Sequence, residues 1–293
     1  MCNLISLVYK RRTLQERVIQ IYNQTRQPRP AATVTNKMFS LFFLMLSLCV
    51  VGDIAIEFPQ TCAINDGECQ MKLIEMLFRS HDKTGFPEFG IPPYNPYRIK
   101  NTTVSVLGMV DMTMVDGNVE GATNCSFIKI ETNFEKGYVD SETFCELFKV
   151  FGHYKIVAGP IILTALSENS VSGDGNGSIQ IDNMTLKMKI PFKVKKNESD
   201  GEIYIVPQVS KAEYSTNDIT KITFTANNVM LGKQEVSEPL MAFMNQNWSM
   251  LLRSFGKYFS DKVMEVFFEN VEKFFLTIPA KKYFSDDLSR YMY

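Results

Sequence analysis

The most constraining stretch of the chain runs from Leu240 to Ile278. Apolar residues recur there in steps of three or four, at Leu240, Met244, Trp248, Leu251, Phe255, Phe259, Val263, Phe267, Val271, Phe274 and Ile278. That spacing predicts one long helix. Ser237 is the expected N-cap, Pro239 suits the first turn, and Pro279 ends the run. Roughly 40 residues in a single helix would span about 60 Å. Leu252, Tyr258, Phe268 and Phe275 lie off the main stripe and widen the apolar arc, leaving Arg253, Lys257, Asp261, Glu265 and Glu269 on a narrower polar face. Those charges exclude a membrane span. A helix this apolar must be buried along most of its length.

The partner comes from the middle of the chain. From residue 100 to about 230 the period changes to two. "LKMKIPFKVK" (186–195) puts Leu186, Met188, Ile190, Phe192 and Val194 on one face, and "KITFTA" (221–226) does the same with Ile222, Phe224 and Ala226. "SFIKIE" (126–131) and "HYKIVAGPIILTALS" (153–167) also read as strands. Turn signals fall at "VDGN" (from 115), "EKG" (from 135), "SGDGNG" (from 172) and "ESDG" (from 198). One-sided alternation with short turns predicts an antiparallel sheet with one buried face, the surface the helix needs. Ahead of the sheet, "ECQMKLIEMLFRS" (68–80) has helical spacing, and the prolines of "GFPEFGIPPYNPYRI" (85–99) predict an extended strap. The fold class is therefore α+β.

Residues 39–51, "FSLFFLMLSLCVV", form an apolar run too short to cross a bilayer comfortably and of signal-peptide length. Lys37 and Met38 precede it, and Gly52 supplies a small residue for cleavage. The expected organisation is an unstructured, Arg-rich upstream extension (1–37), a signal peptide (38–52) and one domain (53–293). A membrane anchor with a basic cytoplasmic tail is the alternative for the first 52 residues. Six Asn-x-Ser/Thr sequons follow, at Asn101, Asn124, Asn176, Asn183, Asn197 and Asn247, as expected of a secreted glycoprotein. In an oxidising compartment Cys62 and Cys69, seven residues apart in "CAINDGEC", are expected to pair. Cys125 and Cys145 either pair or stay as buried thiols.

A formal net charge of −1 gives no reason to expect nucleic acid or an acidic membrane as partner, and two histidines argue against a histidine-rich metal site. No cofactor is expected. The chain has no Gly-x-Ser-x-Gly elbow, His-Glu-x-x-His or P-loop. The glycines of "GDGNG" (173–177) read as a hairpin turn, Asp111, Asp116 and Glu120 as a solvated strand edge, and His153 beside Tyr154 as a structural histidine.

Several segments, in order, carry a family resemblance: the Cys62/Cys69 pair before a short helix; "GFPEFGIPPYNPYRI"; "FGHYKIVAGPIILTALSENSVSGDGNGSIQIDNMTLKM"; and finally "NQNWSMLLRSFGKYF" with "IPAKKYF". Over about residues 56–285 the chain resembles the insect takeout and haemolymph juvenile hormone binding proteins. It departs from their pattern at Asn95, Tyr97 and Asn169, and it has no cysteine in the long helix. The resemblance implies a strongly curved antiparallel sheet wrapped round the long helix, with a short N-terminal helix stapled by a disulfide and an apolar tunnel inside. It implies a secreted, monomeric, non-enzymatic carrier of an elongated hydrophobic ligand: a juvenile hormone-like terpenoid, a fatty acid, a pigment or an odorant. The aromatic stripe and the inward strand residues place the ligand against Phe255, Phe259, Val263, Phe267, Met188, Ile190 and Phe224, with Gly256 leaving room beside them. The alternatives are a secreted structural glycoprotein with a filled core and, third, a secreted lipid-active hydrolase.

Overall fold

The structure, a computed structural model, describes residues 58–166 and 170–292. The expected upstream extension and signal peptide, and Asn169, lie outside the described residues. Cys62 and Cys69 are bridged, and helix α1 (Gly67–Ser80) begins inside the loop they close. The Asp66 carboxylate accepts from the Cys69 N–H at 2.9 Å and caps the helix, so the disulfide staples its first turn. Leu73 and Leu77 form its buried side. The proline strap follows, with a 3-10 turn at Pro87–Phe89 and a cis Asn95–Pro96 bond.

The strands are β1 (Tyr97–Val106), β2 (Val110–Glu120), β3 (Cys125–Asn133), β4 (Tyr138–Ala158), β5 (Val171–Lys196), β6 (Ile203–Pro207), β7 (Glu213–Asn217), β8 (Lys221–Ala226), β9 (Val229–Leu231) and β10 (Gln234–Glu235). All pair antiparallel in one sheet, ordered β1-β2-β4-β5-β9-β10, with β3 added to β4 and β6, β7 and β8 to β5. The spine is β5, which pairs with β4 on one side and with β9, β8, β7 and β6 in turn on the other. Its 26 residues would extend about 85 Å if straight. Asn183, at φ 52, interrupts β5 between the section paired with β8 and that paired with β7. The helix-facing residues change phase there: Gly177, Ile179 and Ile181 precede it, and Leu186, Met188 and Ile190 follow it.

Three expected turns and strands differ. "VDGN" lies inside β2, where the register with β4 slips between Met114 and Asp116: the glycine marks a bulge, not a reversal. "GDGNG" lies inside β5. Gly173, Gly175 and Gly177 share a face with Tyr154, which stands opposite Gly175. A Cβ on Gly173 or Gly177 would come within 3.0 or 3.1 Å of the Tyr154 ring, and one on Gly175 would come 2.3 Å from Asn227 Oδ1. Close approach of the Tyr154 ring, of Asn227 and of the Thr225 carbonyl, not chain reversal, requires these glycines. The expected strand 153–167 ends at Ala158, before a short helix α2 (Pro160–Leu166) that opens on the proline. Cys125 and Cys145 are bridged, directly opposite each other in the β3–β4 hairpin around "EKG".

The single long helix is two helices, α3 (Ser237–Gln246) and α4 (Trp248–Thr277). They part at Asn247, whose side chain donates to the Phe243 carbonyl at 2.8 Å and so competes with regular helix. The 30 residues of α4 span about 45 Å, about half the straight length of β5, so the strand must curve past the helix. Ser237 is not a cap. Its hydroxyl accepts from the Val229 N–H at 2.9 Å and donates to Glu235 at 3.0 Å, holding β9 instead. Ile278 and Pro279 end α4 as expected.

One end of the molecule is packed solid. Phe86, Phe134, Phe192, Tyr283 and Tyr291 are buried there with Cys62, Leu73 and Ile278. The segments at 62 and 283–285 meet at this core: the Cys62 N–H donates to the Tyr283 carbonyl, and the Ser285 N–H to that of Cys62, both at 3.0 Å. Helix α4 runs from the opposite end into this core and touches β1, β6 and β8 on its way. No hydrogen-bonded ladder among the described residues joins β1 to β6, β8 or β10.

Candidate ligand-binding interior

A step of four residues advances about 40° round a helix. Phe255, Phe259, Val263, Phe267, Val271 and Phe275 are spaced in fours, so the line they form winds about 200° round α4. The covered face winds too. Over residues 248–259 the exposed side carries Met250, Arg253, Ser254 and Lys257, and the opposite flank with Leu251, Phe255, Tyr258 and Phe259 is half-buried. Over residues 261–273 the exposed side carries Glu265, Glu269 and Lys273, and Met264 and Phe268 are buried. A sheet with the usual strand twist follows the helix by rotating about it, and the sequence supplies apolar side chains along that path.

The second half of α4 is anchored by packing. Met264 and Phe268 form a buried cluster with Met188 and Ile190, flanked by Val139, Leu186, Tyr214 and Phe267. Its polar edge is one small network. Lys257 Nζ donates to the Asp261 carboxylate at 2.7 and 2.9 Å, and the Tyr214 hydroxyl donates to the same carboxylate. These two donors hold the Asp261 carboxyl below the usual carboxylate range, and burial pushes the Tyr214 hydroxyl above its own.

The first half of α4 has no such cluster. None of residues 248–259 is fully buried, although that flank is rich in aromatic and aliphatic side chains. A patch of the sheet has the same character. Phe148 and Val150 of β4 stand opposite Ile181 and Ile179 of β5, Ile179 stands opposite Phe224 of β8, and all five are half-buried. Both surfaces are apolar, and none of these side chains is fully buried. Beside them an open cleft of about 570 Å³ lies between α3 and β8, lined by Phe224, Ala226, Glu235, Pro239, Met241 and Asn245 among others.

The expected ligand residues thus fall in different places. Phe255 and Phe259 lie on the half-open flank, and Phe224 lies on the wall and at the cleft. Met188 and Ile190, each 8% exposed, belong to the packed cluster, with Phe267 against it. Val263 is 40% exposed, although Phe259 and Phe267 on either side of it in the same line are half-buried. Sequence reasoning set Phe268 off the stripe and left out Met264; the breadth of the apolar arc was the signal for both. Of the sequons, Asn101, Asn124, Asn176 and Asn197 are exposed. Asn183 and Asn247 are half-buried, and their amides donate to Thr220 Oγ1 at 3.0 Å and to Phe243 O at 2.8 Å. Among the described residues no group of side chains is placed to hold a metal ion, and no helix is long and apolar enough to cross a membrane.

A sheet wound about one helix, solid at one end and apolar but under-filled toward the other, defines a binding fold for hydrophobic small molecules. Residues 41–285 match the profile of the haemolymph juvenile hormone binding protein family. The chain belongs to that family, whose members are carriers of hydrophobic ligands. Among solved structures it is similar to Takeout 1 of Epiphyas postvittana, with a TM-score of 0.65 and 18% identity over 77% of this chain and 99% of that one. No curated protein sequence matches it significantly.

Proposed function

We propose that the protein is a secreted carrier that holds an elongated, mainly apolar molecule between the first half of α4 and the sheet. The observation that supports this reading is under-filling: Phe255 and Phe259 on the helix, and Phe148, Ile179 and Phe224 on the sheet, are all half-buried where a filled core would bury them. Phe267, Met188 and Ile190 form the floor of the site in this reading, and Val263 stands at its outer rim. Burial of an apolar chain supplies the affinity, at about 25 cal/mol per Å² before the cost of association is subtracted. Terpenoids, fatty acids, pigments and odorants all have suitable chains. Export is supported by the two disulfides and by the apolar run at 39–51. The four exposed sequons are the ones expected to carry glycans. The interior is built within a single chain, in keeping with a monomer.

The test is organic-solvent extraction of protein purified from its own tissue, followed by mass spectrometry. A stoichiometric apolar compound is expected. An empty extract, together with no displacement of a fluorescent apolar probe by lipids, would sink the reading in favour of a filled structural glycoprotein. Turnover of the compound would replace it with the hydrolase.

A further inference from the structure

Thr143 stands on β4, directly opposite Phe127 of β3 on one side and Leu186 of β5 on the other. Opposed residues of antiparallel strands share a face. On this face Ser141 stands opposite Met188 and Val139 opposite Ile190, and Met188 and Ile190 pack against α4. Thr143 therefore points toward the helix. It is 7% exposed, and its hydroxyl has no hydrogen-bond partner. Its neighbours across the ladders on that face are Phe127 and Leu186, with Met184 and Met188 on the diagonals, and none offers a good side-chain partner. Valine would fill the same space without stranding a hydroxyl in apolar surroundings, which costs stability.

Two other hydroxyls that face the interior are committed. Tyr154 donates to the Asn227 carbonyl at 2.6 Å, and Tyr214 donates to Asp261. Tyr283 also lacks a side-chain partner, but it is wedged among Phe58, Phe274, Phe275 and Phe284 at the solid end. Thr143 differs in position. The packed cluster with Met188 lies on one side of it, and half-buried Met184 lies on the other, toward the half-open walls. Both flanking methionines are unbranched and can swing aside.

We infer that the Thr143 hydroxyl is the polar anchor for the carried molecule, hydrogen-bonding one oxygen atom on an otherwise apolar chain. The inference rests on the carrier reading above and narrows it. The ligand is a neutral oxygen-bearing chain, such as an ester, ketone or alcohol. A pure hydrocarbon leaves the hydroxyl stranded, and a carboxylate brings an unpaired charge into apolar surroundings. The oxygenated end lies toward the solid end of the molecule, and the chain runs toward α3.

The experiment compares wild type, Thr143→Val and Thr143→Ser, each freed of lipid, by displacement of the probe N-phenylnaphthylamine with methyl palmitate and with n-octadecane. Wild type should prefer the ester. Thr143→Val should lose about fivefold in ester affinity with the hydrocarbon unchanged, and Thr143→Ser should keep the preference. Without lipid, Thr143→Val should melt no lower than wild type. If it binds both probes as wild type does, or if it melts lower, the anchor is wrong while the carrier reading stands. If wild type binds neither compound, both fall.

Discussion

Asn245 forms a two-point hydrogen-bonded contact with the backbone of Phe224. Its side-chain oxygen accepts from the Phe224 N–H at 2.7 Å, and its amide donates to the Phe224 carbonyl at 3.0 Å. Phe224 lies on β8, whose other edge pairs with β5, so one side chain of α3 takes the place of a neighbouring strand. The contact covers an open sheet edge and fixes α3 beside the cleft.

Asn245→Leu should destabilise the protein by about 1–3 kcal/mol, because two backbone groups lose their partner. Amide hydrogen exchange at Phe224 reads the effect locally and should accelerate. Unchanged protection there would mean that α3 holds the edge by packing alone.

Phe268→Ala and Phe259→Ala should separate packed core from binding wall. The first removes a buried ring and should cost about 3–5 kcal/mol. The second removes a half-buried ring, should cost less, and should shift preference toward longer chains. Gly256→Phe should shift it the other way; its Cβ would come 2.7 Å from the Leu252 side chain, which can move. Graded fatty-acid methyl esters in a competition assay read the preference. The same length optimum in both folded variants would remove this flank from the site.

Replacing both cysteines of one bridge by serine should cost more for Cys125–Cys145 than for Cys62–Cys69. The sequence separations are 20 and 7 residues, which in the chain-entropy model correspond to about 3 and about 2.5 kcal/mol. Denaturant titration of the two double variants gives the order.

Stability should fall in acid partly through Asp261. Its folded carboxyl titrates below the usual value because of Lys257 and Tyr214, so its contribution is present above about pH 4 and is lost as pH falls through the lower folded value. The carboxylate is 48% exposed, so salt should weaken the effect. Melting curves of wild type and Asp261→Asn should converge as pH drops below that range. A constant gap would assign the stability difference to something other than this carboxylate.

The elements were legible where local pattern and tertiary demand agree. Alternation at Leu186 to Val194 and the spacing in α1 led directly to the right structure. The family resemblance supplied the wrapping of sheet round helix, which no local pattern encodes. Other features depend on distant neighbours. Gly173, Gly175 and Gly177 look like a turn until the Tyr154 ring and Asn227 are placed against them. Asn247 reads as one more polar residue in a helix until its amide turns back on Phe243. The expected ligand residues were selected by one stripe, but burial depends on which strands lie against each turn of α4: Val263 is exposed, while Met264 and Phe268 enter the core.

Among the described residues the sheet is not a closed barrel: α4 touches β1, β6 and β8, and no ladder joins β1 to β6 or β8. In a closed barrel, strand number and shear fix the diameter, and changing it means breaking hydrogen bonds. Here the join is a zipper of side chains against a helix. Its gauge can widen or narrow through rotamer changes while every ladder stays intact, so one backbone can accommodate cargoes of different girth.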